Sequence, residues 1–521
     1  VVAKPRLVVV VSYDQFRGDF PSTFARFASS RGFNRVMREG VWFPNCFFRH
    51  ASLMTGPGHA TLLTGCYPHR HGIPANDICD ASLGRCLYCA DDTSGVRSPF
   101  LLRVPTVGDV LRASDSRSKV AAIAYKDRSA ILMAGRSAYP VLWFDGNAGG
   151  FVTSTFYRQP PWLSILNSTL PFTRWSNHTW RTGIPDSLSP ATDDVDGEGA
   201  LTSGKRVFPH RMPDAQSAPR DYVADFIRSP YAVTHLFDAA RELMRRERLG
   251  QDTVPDILCI GVSQTDFLGH TFGPDSREVQ EMYRACDTTL AGYIDYLDDV
   301  IGREHYVLMI TSDHGVAPIP EVIRRAGEAQ GVTIDAGRLR RAMLRRVVDS
   351  TLSASFGTAD SVRWVRTIHE PALYLDHDSC LQRGVNPASA ADVAARALRG
   401  IHGLQIAMPT VHMVRGDSCH EGVPPEMCAY VKNAVDTERS GDVVFFPQRY
   451  WIVGATPATH GTPHDYDRHV PLMLFGGGFS GGRRTHDVSP ADIAPTIATW
   501  LGLDLGDVDG VPLPLTMSGG K

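Results

Sequence analysis

The amino-acid sequence predicts an α/β fold: a three-layer sandwich with a large, mostly parallel or mixed central sheet flanked by helices. Three observations carry that expectation. Five short runs of Val, Ile, Leu, Met and Ala, at 7–11, 120–124, 257–262, 307–310 and 472–475, have the length and near-continuous apolarity of strands buried on both faces. Segments with helical apolar spacing alternate with them, as parallel strand connections require. Polar residues able to do chemistry follow the runs directly, and in open α/β sheets that carboxyl edge is where ligands bind.

Taken in order, the 7–11 run ends at Tyr13-Asp14 and the 120–124 run at Tyr125-Lys126. The 257–262 run is followed by Asp266, and the 307–310 run by Asp313-His314. Segment 52–65 reads as a tight Gly-Pro-Gly turn that carries Thr55 and opens into a helix. Residues 275–301 keep three-to-four apolar spacing through Val279, Met282, Tyr283, Cys286, Leu290, Ile294, Leu297 and Ile301, which predicts one long helix. Near the end, Ser489 is an N-cap with Pro490 in the first turn. Long irregular stretches near 80–118, 145–255 and 315–455, rich in Gly, Pro, Ser and aromatics, read as insertions roofing a single domain over 1–521.

The 521 residues carry a net charge of −3, with 21% charged and 43% hydrophobic residues, an ordinary globular balance. No basic excess points to a nucleic-acid partner or an anionic membrane, so any functional Lys or Arg is expected to act locally. No apolar run approaches the roughly 18 residues of a membrane span. No signal peptide is visible, and a chain beginning at Val1 reads as a mature or trimmed form. Of ten Cys, Cys79, Cys86 and Cys89 crowd together and Cys419 and Cys428 lie close, which suggests one to three disulfides among free core thiols such as Cys259 and Cys286. A zinc knuckle at Cys86-x-x-Cys89 lacks a partner pair. Clustered loop cysteines favour an oxidising compartment, hence a periplasmic or secreted protein. Asn167 and Asn177 head glycosylation sequons, and the acidic 193–198 loop reads as solvated, with a surface calcium as the alternative.

The chemistry-bearing residues form a set. Asp14 ends the first strand, and Asp266 and His270 are four apart, on one face of a helix. Asp313-His314 closes the fourth strand, and His460 sits in a Gly- and Pro-punctuated loop before the fifth. Three Asp, three His and the Thr55 hydroxyl offer the mixed nitrogen and oxygen ligation that suits zinc. His59, His69, His71, His464 and His469 are weaker candidates, for supporting or structural roles.

The order Asp14, Thr55, Asp266, His270, Asp313-His314, His460 resembles the two-zinc pattern of the alkaline phosphatase superfamily, and the likeness extends to the Ser-Pro-Ala-Asp-Ile-Ala-Pro-Thr run at 489–496. Asn76, in Pro74-Ala-Asn76-Asp77, and the Lys126-Asp-Arg128 triplet look like the threonine-nucleophile, phosphate-irrepressible bacterial alkaline phosphatases. Nucleotide pyrophosphatase/phosphodiesterases share the zinc ligands, Thr and Asn but are not marked by the Lys-x-Arg pair. No third, magnesium site is apparent, and Thr55-Gly-Pro-Gly-His lacks the sulfatase signature. The resemblance implies that Asp14, Thr55, Asp313 and His314 bind the zinc that activates the nucleophile, and that Asp266, His270 and His460 bind a second zinc. It also implies attack by Thr55 through a phosphothreonine intermediate, with Asn76, Lys126 and Arg128 holding the phosphoryl oxygens.

The two cations bear on substrate class. A monoester dianion has one more negative charge than a diester, and one extra charge pair near 4 Å is worth about 4 kcal/mol at an effective dielectric of 20. That is on the order of a thousandfold. The expected substrates are therefore small phosphate monoesters, with a phosphodiesterase or nucleotide pyrophosphatase on the same metal core as the alternative.

Overall fold

All five apolar runs pair into one nine-stranded sheet in a computed structural model that describes residues 4–189, 191–359, 362–415, 418–479 and 481–515. Its order is Gly482–Arg483, Val41–Phe43, Leu472–Gly476, Tyr306–Thr311, Leu7–Tyr13, Asp256–Val262, Val120–Ala124, Val141–Asp145, Gly150–Val152. The five strands from Tyr306–Thr311 to Val141–Asp145 run parallel. Leu472–Gly476 and Gly150–Val152 pair antiparallel at either side, so the sheet is mixed. The strands Val41–Phe43, Gly150–Val152 and Gly482–Arg483 are too short to stand out in the sequence, whereas Val141–Asp145 has an apolar run as long as those at 307–310 and 472–475 and was missed. The pairing of the three short strands comes from neighbours already in place.

Alternation along the strands builds a core on each face. Leu7, Val9 and Val11 pack with Leu258, Ile260, Leu308 and Ile310 against the long helix Arg277–Val300 and the helix Pro230–Glu247. Val8 and Val10 turn the other way, toward Ile257, Met309 and the helices Thr55–Thr64, Asp127–Ala134 and Ile493–Leu501. These are the layers expected of a three-layer sandwich. The stretch expected as roof near 145–255 thus contributes Pro230–Glu247 to the body, where Val233, Leu236, Phe237, Ala240 and Leu243 are buried.

The stretch near 315–455 carries a sheet of its own, in the order Val365–His369, Ala372–Leu375, Val443–Pro447, Leu404–Pro409. Helices Arg341–Phe356 and Pro387–Arg399 cover it, burying Leu344, Val348, Leu352, Ala391, Ala394 and Leu398 with Trp364 and Phe445.

Cys79 pairs with Cys86 and Cys419 with Cys428, while Cys46, Cys66, Cys89, Cys259, Cys286 and Cys380 are buried free thiols. Cys86 is therefore spent on a disulfide and no Cys86-x-x-Cys89 knuckle forms. The Asn167 amide hydrogen-bonds both backbone groups of Phe151, which engages the first sequon inside the fold. No helix of the described residues is long and apolar enough to cross a membrane.

The acidic 193–198 loop is only partly solvated. Asp194 pairs with Arg206, Asp196 with Arg325, and Glu198 is buried. Burial, reinforced by Glu278 and Asp194, pushes the Glu198 carboxyl up to about 8. The unfolded chain releases this proton near 4.5, so between those values the folded state binds more protons than the unfolded. The stabilisation is complete at the acid end of that window and is lost as pH rises toward 8. Glu198→Gln is expected to flatten the decline in melting temperature between about pH 5 and pH 9, and an unchanged slope would remove Glu198 as its source.

Candidate active site

Parallel strands deliver their carboxyl ends to one edge, and four adjacent ones carry the polar residues there. Asp14 follows Leu7–Tyr13, Lys126 follows Val120–Ala124, Asp266 lies in the helix Gln264–Phe272 after Asp256–Val262, and Asp313-His314 follows Tyr306–Thr311. Thr55 is the first residue of the helix Thr55–Thr64, preceded by an extended Met54. The Gly-Pro-Gly sequence forms the first turn of this helix, not a separate turn before it. Its glycines serve close approach: a Cβ on Gly58 would lie 2.2 Å from the Asp313 carbonyl oxygen. Gly58→Ala is expected to cost about 1–3 kcal/mol of stability, measured by urea unfolding, and to lower activity by pushing Asp313 out of place.

The side chains gather into two clusters. In one, the His314 Nε2 atom lies 3.5 Å from Asp14 Oδ1 and 3.3 Å from Asp313 Oδ2. In the other, Asp266 Oδ1 lies 3.1 Å from His270 Nε2 and 3.5 Å from His460 Nε2. Within each cluster the donor atoms lie within 4.8 Å of one another. The His314 and His460 rings stack at 3.6 Å between centroids, which joins the clusters.

Both clusters fit metal ions. Asp14 Oδ1, Asp313 Oδ2 and His314 Nε2 are buried without a hydrogen-bond partner, a costly arrangement unless a cation satisfies them. Tetrahedral bonds of about 2.0–2.1 Å place ligand atoms about 3.3 Å apart, close to the spacings seen. The imidazoles are oriented for it. Nδ1 of His270, His314 and His460 faces the carbonyl oxygens of Ala458, Gly315 and Leu53 at 2.8, 2.9 and 2.7 Å. A carbonyl only accepts, so each Nδ1 carries a proton and each ring turns its Nε2 toward its cluster, while the Asp266 charge raises His270. Burial pushes His314 down to about 3 and lowers His460, which keeps both rings neutral.

Lys126 lies between the clusters. Its buried ammonium donates to Asp14 Oδ2 at 2.7 Å, Asp266 Oδ2 at 2.5 Å and Thr55 Oγ1 at 3.2 Å. Arg128 donates from Nη2 to Thr55 Oγ1 at 3.3 Å. Burial and the Asp313 charge raise the Asp14 carboxyl. For Asp266, burial is outweighed by His270 and Lys126, which hold the carboxyl well below its usual range. Asn76 accepts the Gly56 N–H at 2.8 Å, which ties it to the start of the Thr55 helix.

Three further residues support these groups; Gln15 and Tyr88 were not visible in the sequence, whereas His59 was a candidate for a supporting role. Gln15 holds a left-handed backbone, with φ at 62°, directly after Asp14. From there its amide donates to Asp266 Oδ1 at 2.7 Å and its backbone N–H to Asp313 Oδ1 at 3.2 Å, linking the clusters. Tyr88 OH accepts from Arg128 Nη1 at 3.0 Å and donates to Asp127 at 2.6 Å, steadying the guanidinium. His59 approaches Asp313 Oδ2 at 3.2 Å. The only sequence signals were a polar residue next to a strand-end Asp and a His one turn beyond Thr55. His69, His71, His464 and His469 contact Asn433 O, Thr61, Pro447 O and Pro44 O, which are structural roles. Thr153 and Ser154 line a cleft of about 760 Å³ with Lys126, Arg128, Trp143 and Phe267.

Paired carboxylate–imidazole clusters around a helix-borne hydroxyl, on a mixed sheet of this order, assign the chain to the alkaline phosphatase superfamily of hydrolases. The Type I phosphodiesterase / nucleotide pyrophosphatase family model matches residues 8–469. The chain therefore belongs to that family, and within it to the PafA-like bacterial alkaline phosphatases. It is 31% identical to alkaline phosphatase PhoV of Synechococcus elongatus, across 96% of this chain and 90% of that protein. It is 28% identical to alkaline phosphatase PafA of Elizabethkingia meningoseptica, across 96% and 92%. The PafA crystal structure superposes with a TM-score of 0.89 at 27% identity, covering 99% of this chain and 100% of that one. Murine ectonucleotide pyrophosphatase/phosphodiesterase 5 shares the fold, with a TM-score of 0.54 at 16% identity over 96% and 97%.

Proposed function

We propose that this alkaline phosphatase-family enzyme hydrolyses phosphate monoesters through Thr55. The observation that carries the reading is the placement of two cations, Lys126 and Arg128, at 3.2 and 3.3 Å from one buried hydroxyl that lies beside two metal-ready clusters. Asp14, Asp313 and His314, with Thr55, would hold one zinc, and Asp266, His270 and His460 a second. When bound, two zinc ions supply Lewis acidity that lowers hydroxyl pKa and neutralises charge on the leaving oxygen.

The chain's own residues account for the rest. The Thr55 oxygen attacks phosphorus, the ester P–O bond breaks, and a phosphothreonine forms that water then hydrolyses. Thr55 begins a helix, where the backbone dipole favours negative charge. Arg128 offers a fork and Lys126 a point charge to the equatorial phosphoryl oxygens. The Asn76 carbonyl is engaged by Gly56, which leaves its NH2 end as a donor for the same oxygens. A substituted form of PafA supports these roles. It is changed at a Thr, an Asn, a Lys and an Arg, and those types recur here as Thr55, Asn76, Lys126 and Arg128 in the same order, with the same spacing within each pair.

The test is kcat/KM for nitrophenyl phosphate against bis-nitrophenyl phosphate. The monoester is expected to be faster, and Lys126→Ala and Arg128→Ala are each expected to cost monoester turnover more than diester turnover. A faster diester would make the enzyme a phosphodiesterase on the same metal core. The chain reads as one catalytic domain with three insertions. Its two disulfides support a periplasmic or secreted location.

A further inference from the structure

A second anion-binding surface lies on the insertion sheet. The helix Arg341–Phe356 buries Leu344, Val348 and Leu352 against the sheet and places Arg341, Arg345 and Asp349 on a neighbouring stripe one turn apart. That stripe faces Val365–His369, the edge strand of the four-stranded sheet. Between them runs an open groove of about 740 Å³, lined by Arg341, Arg345, Arg346, Arg363, Asp349 and Thr367 among others. Four guanidinium groups thus line the groove with one carboxylate, Asp349, and a second carboxylate, Glu370, pairs with Arg341 at its margin, on a chain whose net charge is −3.

The partners of these groups show which charge is available. Asp349 accepts the backbone N–H groups of Trp364 and Val365, so it serves the turn into the edge strand. Arg345 donates to the carbonyls of Val365 and Arg366, which leaves its positive charge unneutralised and covers part of the strand edge. Arg341 pairs with Glu370 through both guanidinium nitrogens, at 2.6 and 3.0 Å. Arg346 and Arg363 are exposed and, among the described residues, make no side-chain hydrogen bond or ion pair. Arginine forks match phosphate oxygens, and several along a groove favour a ligand with repeated charge. The lining includes no aromatic side chain, so bases would find no stacking platform.

We propose that this groove binds linear phosphate polyanions, with inorganic polyphosphate as the simplest. Arg341 also feels the charge of Asp77, the residue after Asn76, so one end of the groove lies toward the segment that supports Thr55. Binding here needs no turnover at Thr55 and is read separately from it.

The test is fluorescence anisotropy of end-labelled long-chain polyphosphate with the intact chain, with orthophosphate added to occupy the catalytic site. Arg346→Glu/Arg363→Glu is expected to weaken binding by about tenfold or more and to reduce the slope of affinity against salt. Both residues are exposed, and an unchanged melting temperature confirms that the fold is intact. The control Arg181→Glu/Arg220→Glu removes two exposed arginines elsewhere and is expected to change affinity less than about twofold. Absence of binding by the unaltered chain, an equal loss in the control, or equal displacement by poly-glutamate would each overturn the proposal.

Discussion

Replacing Thr55 by Ala is expected to lower kcat/KM for nitrophenyl phosphate by at least about a thousandfold, a loss of about 4 kcal/mol in the barrier. The side chain is buried, and its Oγ1 is the point on which Lys126 and Arg128 converge. Alanine keeps Cβ and removes only the hydroxyl and a methyl group, so the helix start and the two metal clusters should persist. Thr55→Ser restores the oxygen and should recover much of the activity, which separates loss of the nucleophile from loss of the fold. Acid-quenched mass spectra of the unaltered enzyme should place a phosphate on Thr55. An alanine variant that kept more than about a tenth of the activity would assign the attack to another oxygen.

Removal of metal is expected to have an effect of similar size. Chelation should abolish turnover and zinc should restore it, with metal analysis tracking both. The reason lies in the electrostatics of the edge: Asp14, Asp266 and Asp313 are all buried, and one ammonium, Lys126, is shared by Asp14 and Asp266. Asp14 Oδ1, Asp313 Oδ2 and His314 Nε2 are buried and make no hydrogen bond among the described residues. A bound cation satisfies these atoms in the folded state alone, so loading should also raise the melting temperature. Asp313→Ala should lose one metal equivalent as well as activity. Full turnover in a sample shown to be metal-free would contradict the assignment of both clusters.

Much of the fold was legible because burial on two faces leaves a mark on composition. Runs such as 7–11 and 307–310 can only be interior strands, and the long helix over 275–301 announced itself by its period, ending within two residues of the structure's Arg277–Val300. The short strand Gly150–Val152 left no such mark, because it depends on Val141–Asp145 beside it. The helix Pro230–Glu247 was missed inside a stretch of irregular composition. In the site, Asp266 and His270 could be read as neighbours since four residues make one helical turn. Gln15 and Tyr88 could not, and His59 could be named only as a supporting candidate, because each acts on a residue that only the fold brings near. The even net charge likewise concealed the arginines at 341–363, which a helix and an edge strand collect on one surface with only Asp349 among the groove's acidic lining residues.

By itself the sequence determined the kind of layers, the four strand ends that carry Asp14, Lys126, Asp266 and Asp313-His314, and the chemical types needed to bind metal and phosphate. These are local properties, set by apolar periodicity and by side-chain chemistry. Only the tertiary structure decided the distances within the two clusters, which nitrogen each imidazole offers, and that two cations meet one hydroxyl. Those depend on distances between segments hundreds of residues apart, and such distances are settled by packing across the sheet.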